Sequence, residues 1–223
     1  MPAKTMMSDE TLRTAIVREL EWDPKVDATY VGVSAKDGAA TLTGHVDSYP
    51  QKIAAVRAAE RVYGVRAVAD EIEVELPSSG RRNDSEIAEE IARERSWNTL
   101  IPATIEAEVR DGWVQLRGEV EWPYQRDEAI RAVQHLWGVK GVDSSIVVKP
   151  HVKAKPEEVE QRVHDAIARM ADLDARSIWV TSTDGTVHLH GHVHSLSERR
   201  IAENAAASAP GVVTVEDDIV VTP

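Results

Sequence analysis

The sequence predicts an α+β chain of three tandem αββαβ repeats, each a small three-stranded mixed sheet with two helices on one face. Three observations predict it. Asp37-Gly38 recurs as Asp111-Gly112 and Asp184-Gly185. A second glycine follows six residues later, inside LTGHV (Gly44), LRGEV (Gly118) and LHGHV (Gly191). A Gly-Val pair comes about twenty residues on, as Gly64-Val65, Gly138-Val139 and Gly211-Val212. The landmarks step by 74 and then 73 residues, which is the signature of an internal repeat.

Each repeat opens on a helix whose apolar residues stand four apart: Leu12, Ile16 and Leu20; Ile87 and Ile91; Val159, Val163 and Ile167. Two strands follow, joined by Asp-Gly. That dipeptide favours a type I′ hairpin turn, because both central residues need positive φ. A two-residue loop fixes the register, so the core-facing pairs are Val33 with Leu42, Ala107 with Leu116, and Val180 with Leu189. The recurrent Gly44, Gly118 and Gly191 then lie on the covered face. A missing side chain there suits the close approach of a helix, so these are fold-defining glycines. The second helix carries Ile53, Val56 and Val62, then Ile130, Val133 and Leu136, then Ile201 with an alanine-rich face. The Gly of each Gly-Val pair stands where a left-handed residue ends that helix. The last strand alternates and closes near Ile72, Ile146 and Ile219.

The repeats are expected at residues 1–76, 84–150 and 154–223, with linkers at 77–83 and 151–153. These linkers lie within the polar PSSGRRND stretch (77–84) and the proline-bracketed PHVKAKP (150–156).

The ordered set of an alternating strand, a DG turn, V-x-L-x-G-x-V, an alanine-rich helix, Gly-Val and a strand ending I-x-V resembles the BON domain family. The resemblance spans nearly the whole chain in three copies. It implies an αββαβ fold and non-enzymatic roles in bacterial envelope or osmotic stress, as phospholipid-binding or attachment modules. It also implies export for many relatives, and it brings no catalytic residue with it.

Composition limits the alternatives. A net charge of −12, spread evenly over the copies, opposes nucleic acid as a partner. The chain has no Cys, which excludes disulfides, thiolate metal sites and cysteine nucleophiles. No apolar run is long enough for a transmembrane segment. The opening MPAKTMMSDETL has no apolar stretch of a secretory signal, so a cytoplasmic location is expected, with a periplasmic one as the alternative. No nucleophile elbow, P-loop or dinucleotide fingerprint occurs, and no cofactor is expected.

Two surfaces stand out as candidates. Trp122 and Tyr124, beside Arg126, align with Ser48 and Pro50 in the first copy and with Ser195 and Ser197 in the third, so the aromatic pair is expected to be exposed. It suits a lipid headgroup boundary, an envelope partner, or packing between repeats. The stretch VHLHGHVH places His188, His190, His192 and His194 in a row on the open sheet face. Its plainest reading is a solvated polar face. Neighbouring imidazoles are about 6.5–7 Å apart, so the whole row cannot close on one metal ion, although two could chelate one. The row would also gain positive charge as the pH falls. Trp22 and Trp97 are expected to cap the core at the ends of their helices. Trp113 is expected to meet Arg110 in a cation–π contact, and Glu106 to pair with Arg117 across the hairpin. The functional expectation is a phospholipid-surface binding protein. The alternatives are a soluble protein–protein scaffold, or a metal- or pH-responsive module centred on the histidines.

Overall fold

The computed structural model describes residues 7–149, 155–170 and 173–222, without the side chains of Arg95 and Trp97. The expected linker 151–153 lies outside the described residues, whereas 77–83 contains a short 3-10 turn, Ser78–Gly80. The first repeat consists of α1 (Asp9–Trp22), β1 (Val31–Lys36), β2 (Ala39–Val46), α2 (Tyr49–Arg61) and β3 (Ala67–Val74). The second consists of α3 (Asp84–Trp97), β4 (Glu106–Arg110), β5 (Trp113–Val120), α4 (Pro123–Gln134) and β6 (Gly141–Val148). The third has α5 (Pro156–Ala168), β7 (Ile178–Thr183), β8 (Thr186–Val193), α6 (Leu196–Ala207) and β9 (Thr214–Val221).

Each sheet has three strands, with the second in the centre, antiparallel to the first and parallel to the third. The hairpin register is the one the turn dictates: Val33 faces Leu42, Ala107 faces Leu116 and Val180 faces Leu189. Asp37, Asp111 and Asp184 have φ of 49°, 53° and 48°, and the following glycines 80°, 81° and 84°, as a type I′ turn requires. Gly64, Gly138 and Gly211 are left-handed behind the second helices.

Gly44, Gly118 and Gly191 depart from the expected reason for their place. Their φ values are 101°, 140° and 137°, and the backbone nearest to them is that of the segment entering the first strand. A Cβ would collide with the carbonyl oxygen of Tyr30, Thr104 or Ser177 respectively. The close neighbour is thus the turn that leads into the hairpin's first strand, a 3-10 turn in the first and third repeats, and not one of the two α-helices.

The second helix follows its expected pattern only in part: Val62, Val133 and the alanine face of the third copy are buried, but the larger residues otherwise give way to alanines. Ala54, Ala55, Ala58 and Ala59 are its buried residues in the first repeat, and Ala202, Ala205 and Ala206 in the third. Alanines let the crossover helix lie close on the sheet. The larger Ile53, Val56, Ile130 and Ile201 are only half-buried at its flanks. Each repeat keeps its own core, around Leu42 and Ile72, Leu116 and Val139, and Leu189 and Ile219.

Tyr49, Pro123 and Leu196 are equivalent residues at the starts of α2, α4 and α6, and each reaches the next repeat. Tyr49 packs on the second core, beside Val142 and Asp143. Pro123 is buried and lines a cleft with Val212 to Val215 of the third repeat. Leu196 packs on the first core. Packing from one to two and from three to one, with a shared cleft between two and three, arranges the repeats as a ring. An α2–α6 interface reinforces it, with an ion pair from Arg200 to Glu60.

The first helix is tied to its hairpin by an acid. Asp9 accepts from the Asp37 N–H at 2.8 Å, and Asp84 accepts from the N–H groups of Asp111 and Gly112 at 2.8 and 2.9 Å. In the third repeat Glu160 performs the task one turn later, accepting from the Ser182 N–H at 2.7 Å. Among the described residues α3 fully buries only Ile87, so its anchorage depends on Asp84 more than that of its siblings. Asp84→Ala is expected to cost about 1–2 kcal/mol and to speed amide exchange throughout α3. Hydrogen exchange resolved by residue checks this, and unchanged α3 protection would refute it.

Candidate functional site

The corner between β5 and α4 holds the aromatic candidate. Gln125 Oε1 accepts from the N–H groups of Glu121 and Trp122, both at 3.0 Å, and Pro123 begins the helix. Tyr124 is 52% exposed, as expected, but Trp122 is half-buried. Arg126 does not stand beside them as a free cation. Its equivalents, Lys52 and Arg199, bind Asp70 at 3.2 Å and Asp217 at 2.6 Å. The second repeat has Ser144 at that strand position, so Arg126 pairs with Asp127 at 3.0 Å and lines the cleft toward the third repeat.

That cleft holds one further acid. Glu203 occupies the position of Val56 and Ile130, and its carboxyl is pushed up to about 7. Burial is the main cause, and the neighbouring Asp217 adds to it; Arg199 and Arg200 act against it. Asp217 is held below its ordinary range by its hydrogen bonds with Glu203 and Arg199, against an opposing effect of burial.

On the open face of the third sheet His188 and His190 stack in parallel, with ring centres 6.4 Å apart. The sequence reading missed their partners. His188 Nδ1 lies 3.1 Å from Glu216, and His190 Nδ1 lies 3.6 Å from Asp218, across the parallel β8–β9 register. His192 meets the edge of Trp179 at 6.0 Å. His194 is a correction, because β8 ends at Val193 and the fourth imidazole leaves the row. It lies 3.3 Å from the Thr222 carbonyl and faces Tyr63 of the first repeat at 5.9 Å. Among the described residues no group of three or more His, Cys, Asp or Glu gathers to hold a metal ion.

Three surface expectations fail at the side chains although their registers hold. Trp22 is 82% exposed and caps no core, because α1 already buries Leu12, Ile16 and Leu20 on its inner stripe. The side chain of Trp97 lies outside the described residues. Trp113 stands opposite Arg110, but its indole lies over Gly141, while Arg110 pairs with Glu108 at 3.2 Å. Arg117 stands opposite Glu106 and donates instead to Gln115 on its own strand.

No helix among the described residues is long and apolar enough to cross a membrane. Among curated proteins, the chain is 28% identical over 148 residues to osmotically-inducible protein Y of Escherichia coli K12. That alignment covers 64% of this chain and 74% of the relative. Among solved structures, CdsD of the Chlamydia trachomatis type III secretion system matches at 15% identity and a TM-score of 0.26, covering 94% of this chain and 91% of that one. Its C-terminal domain matches at 15% and 0.27, covering 97% and 100%. The BON domain family model matches residues 8–75, 83–150 and 156–223, one match on each repeat of the ring. The chain therefore belongs to the BON domain family and carries three copies of its domain.

Proposed function

We propose that this chain is a non-enzymatic binding protein of bacterial osmotic or envelope stress, and that it engages the headgroup layer of a phospholipid surface. Its family and its likeness to an osmotically inducible protein support the stress role. The observation that carries the surface reading is tryptophan exposure. In a chain that is 4% aromatic, four of the five tryptophans with described side chains are more than half exposed: Trp22, Trp113, Trp137 and Trp179. Exposed indoles with a polar handle suit the boundary between hydrocarbon and water. The net charge of −12 makes zwitterionic lipid the better surface and anionic lipid the worse one at low salt.

Liposome flotation tests this. The chain is expected to float with zwitterionic vesicles, and with anionic vesicles only once salt screens the repulsion. Replacing the exposed Trp22 and Trp179 together by alanine is expected to weaken binding about tenfold, the effect of removing interfacial anchors. Failure to float with vesicles of any composition would reject the lipid reading. A protein partner captured without lipid would then make the chain a scaffold.

A further inference from the structure

We propose that the second repeat carries a binding cleft for one small, neutral, apolar molecule, between α3, α4 and the β4–β5 hairpin, at a place its siblings fill with side chains. This does not depend on the membrane reading above.

The three first helices should be interchangeable, and they are not. α1 buries Leu12, Ile16 and Leu20, and α5 buries Val159, Val163 and Ile167, each at 2% exposure or less. In α3 only the first of the three positions, Ile87, is buried to that degree. Ile91 is half-buried, and the third position is Arg95 by sequence. The strand opposite changes in the same sense. Ala107 stands where the siblings have Val33 and Val180, and it is exposed although it faces Leu116. That corrects its expected place in the core.

The result is an apolar cleft of about 150 Å³, with Leu116, Ala129 and Val133 among its walls and Ala107 where the siblings' valines would close it. An apolar cavity of about that volume stays dry and accepts a molecule such as benzene. The occupant is therefore the size of one small ring or a short alkyl chain. Glu94, which lines the same cleft, disfavours an anionic occupant, and the otherwise apolar walls favour a neutral one over a cation, whose lost hydration they do not repay. In a chain of net charge −12, an anionic head such as a fatty-acid carboxylate would be repelled there.

The test is a methyl NMR titration of the full chain with benzene. Saturable shifts are expected at Ile91, Ile105, Leu116 and Val133, with Ile16 and Val163 unmoved. Hexanol is expected to compete, and hexanoate to bind about tenfold more weakly. Ala107→Val, which installs the sibling residue, is expected to weaken benzene binding about tenfold and to raise the melting temperature. Ala88→Leu, on the exposed rim of α3, gives a second block that leaves the core composition alone. Shifts that do not saturate would overturn the proposal. So would equal shifts in all three cores, or undiminished binding by both variants.

Discussion

Gly191→Ala is expected to unfold the third repeat under conditions where the parent is stable, at a cost of about 3–5 kcal/mol. Two penalties act together. A φ of 137° is a conformation that side-chain-bearing residues rarely adopt, worth about 1–3 kcal/mol. The new Cβ would also drive into the Ser177 carbonyl at the end of the 3-10 turn that leads into β7, and backbone held there cannot yield cheaply. Gly32→Ala is the matched control, since that Cβ would meet only the end of the Thr43 side chain, at ordinary φ. The control is expected to cost less than about 1 kcal/mol. Urea denaturation of the two variants decides the matter, and equal midpoints would show that the positive-φ glycine is not fold-defining.

The ring predicts how that damage spreads. Leu196 leaves the third repeat to pack on the first core, and Arg200 pairs with Glu60 beside it. Losing the third repeat therefore strips cover from the first before the second. In a linear array the second repeat would suffer first, because each repeat touches only its sequence neighbours. Amide exchange around Leu42 and Leu116 in Gly191→Ala separates these orders.

The hairpin register was legible from sequence because one turn type propagates along both strands. Once Asp-Gly is placed, every pair from Val31–Gly44 to Ile178–Gly191 follows by counting. The third strand's register does not follow from that turn, and it is the structure that brings Glu216 and Asp218 beside the histidines. Periodicity misled where it carried no direction. Ile53, Val56 and Ile201 look like core positions at helical spacing, yet the sheet accepts the alanines beside them, and size rather than hydrophobicity chose that face. The ring was invisible because Tyr49, Pro123 and Leu196 share a position without sharing a chemistry. The same diversity hid the cleft of the second repeat, which shows only when Ala107 and Arg95 are read against their siblings.

The cleft between the second and third repeats gives the other large expectation, a stability that falls as the pH rises toward neutrality. The Glu203 carboxyl sits near 7 in the folded chain, against an ordinary value of 4.5. The folded state thus holds a proton that the unfolded state has already released. Between those values the folded chain binds more protons, so unfolding becomes easier as the pH climbs through the window, and the loss is complete above about 7. Asp217 has the opposite sign. Its lowered value adds stability at neutral pH that is lost only in acid, below its ordinary value of 3.8. About 40% of the Glu203 side chain is exposed, so solvent screening reduces the effect to about 1 kcal/mol. Glu203→Gln keeps the neutral shape and removes the titration. It is expected to match the parent near pH 4.5 and to exceed it by about 1 kcal/mol above pH 7, with a flatter profile between. Urea midpoints at the two ends of the window measure this. A constant difference between variant and parent across the range would mean that the carboxyl is already ionised in the folded chain, and that Arg199 and Arg200 outweigh burial at this junction.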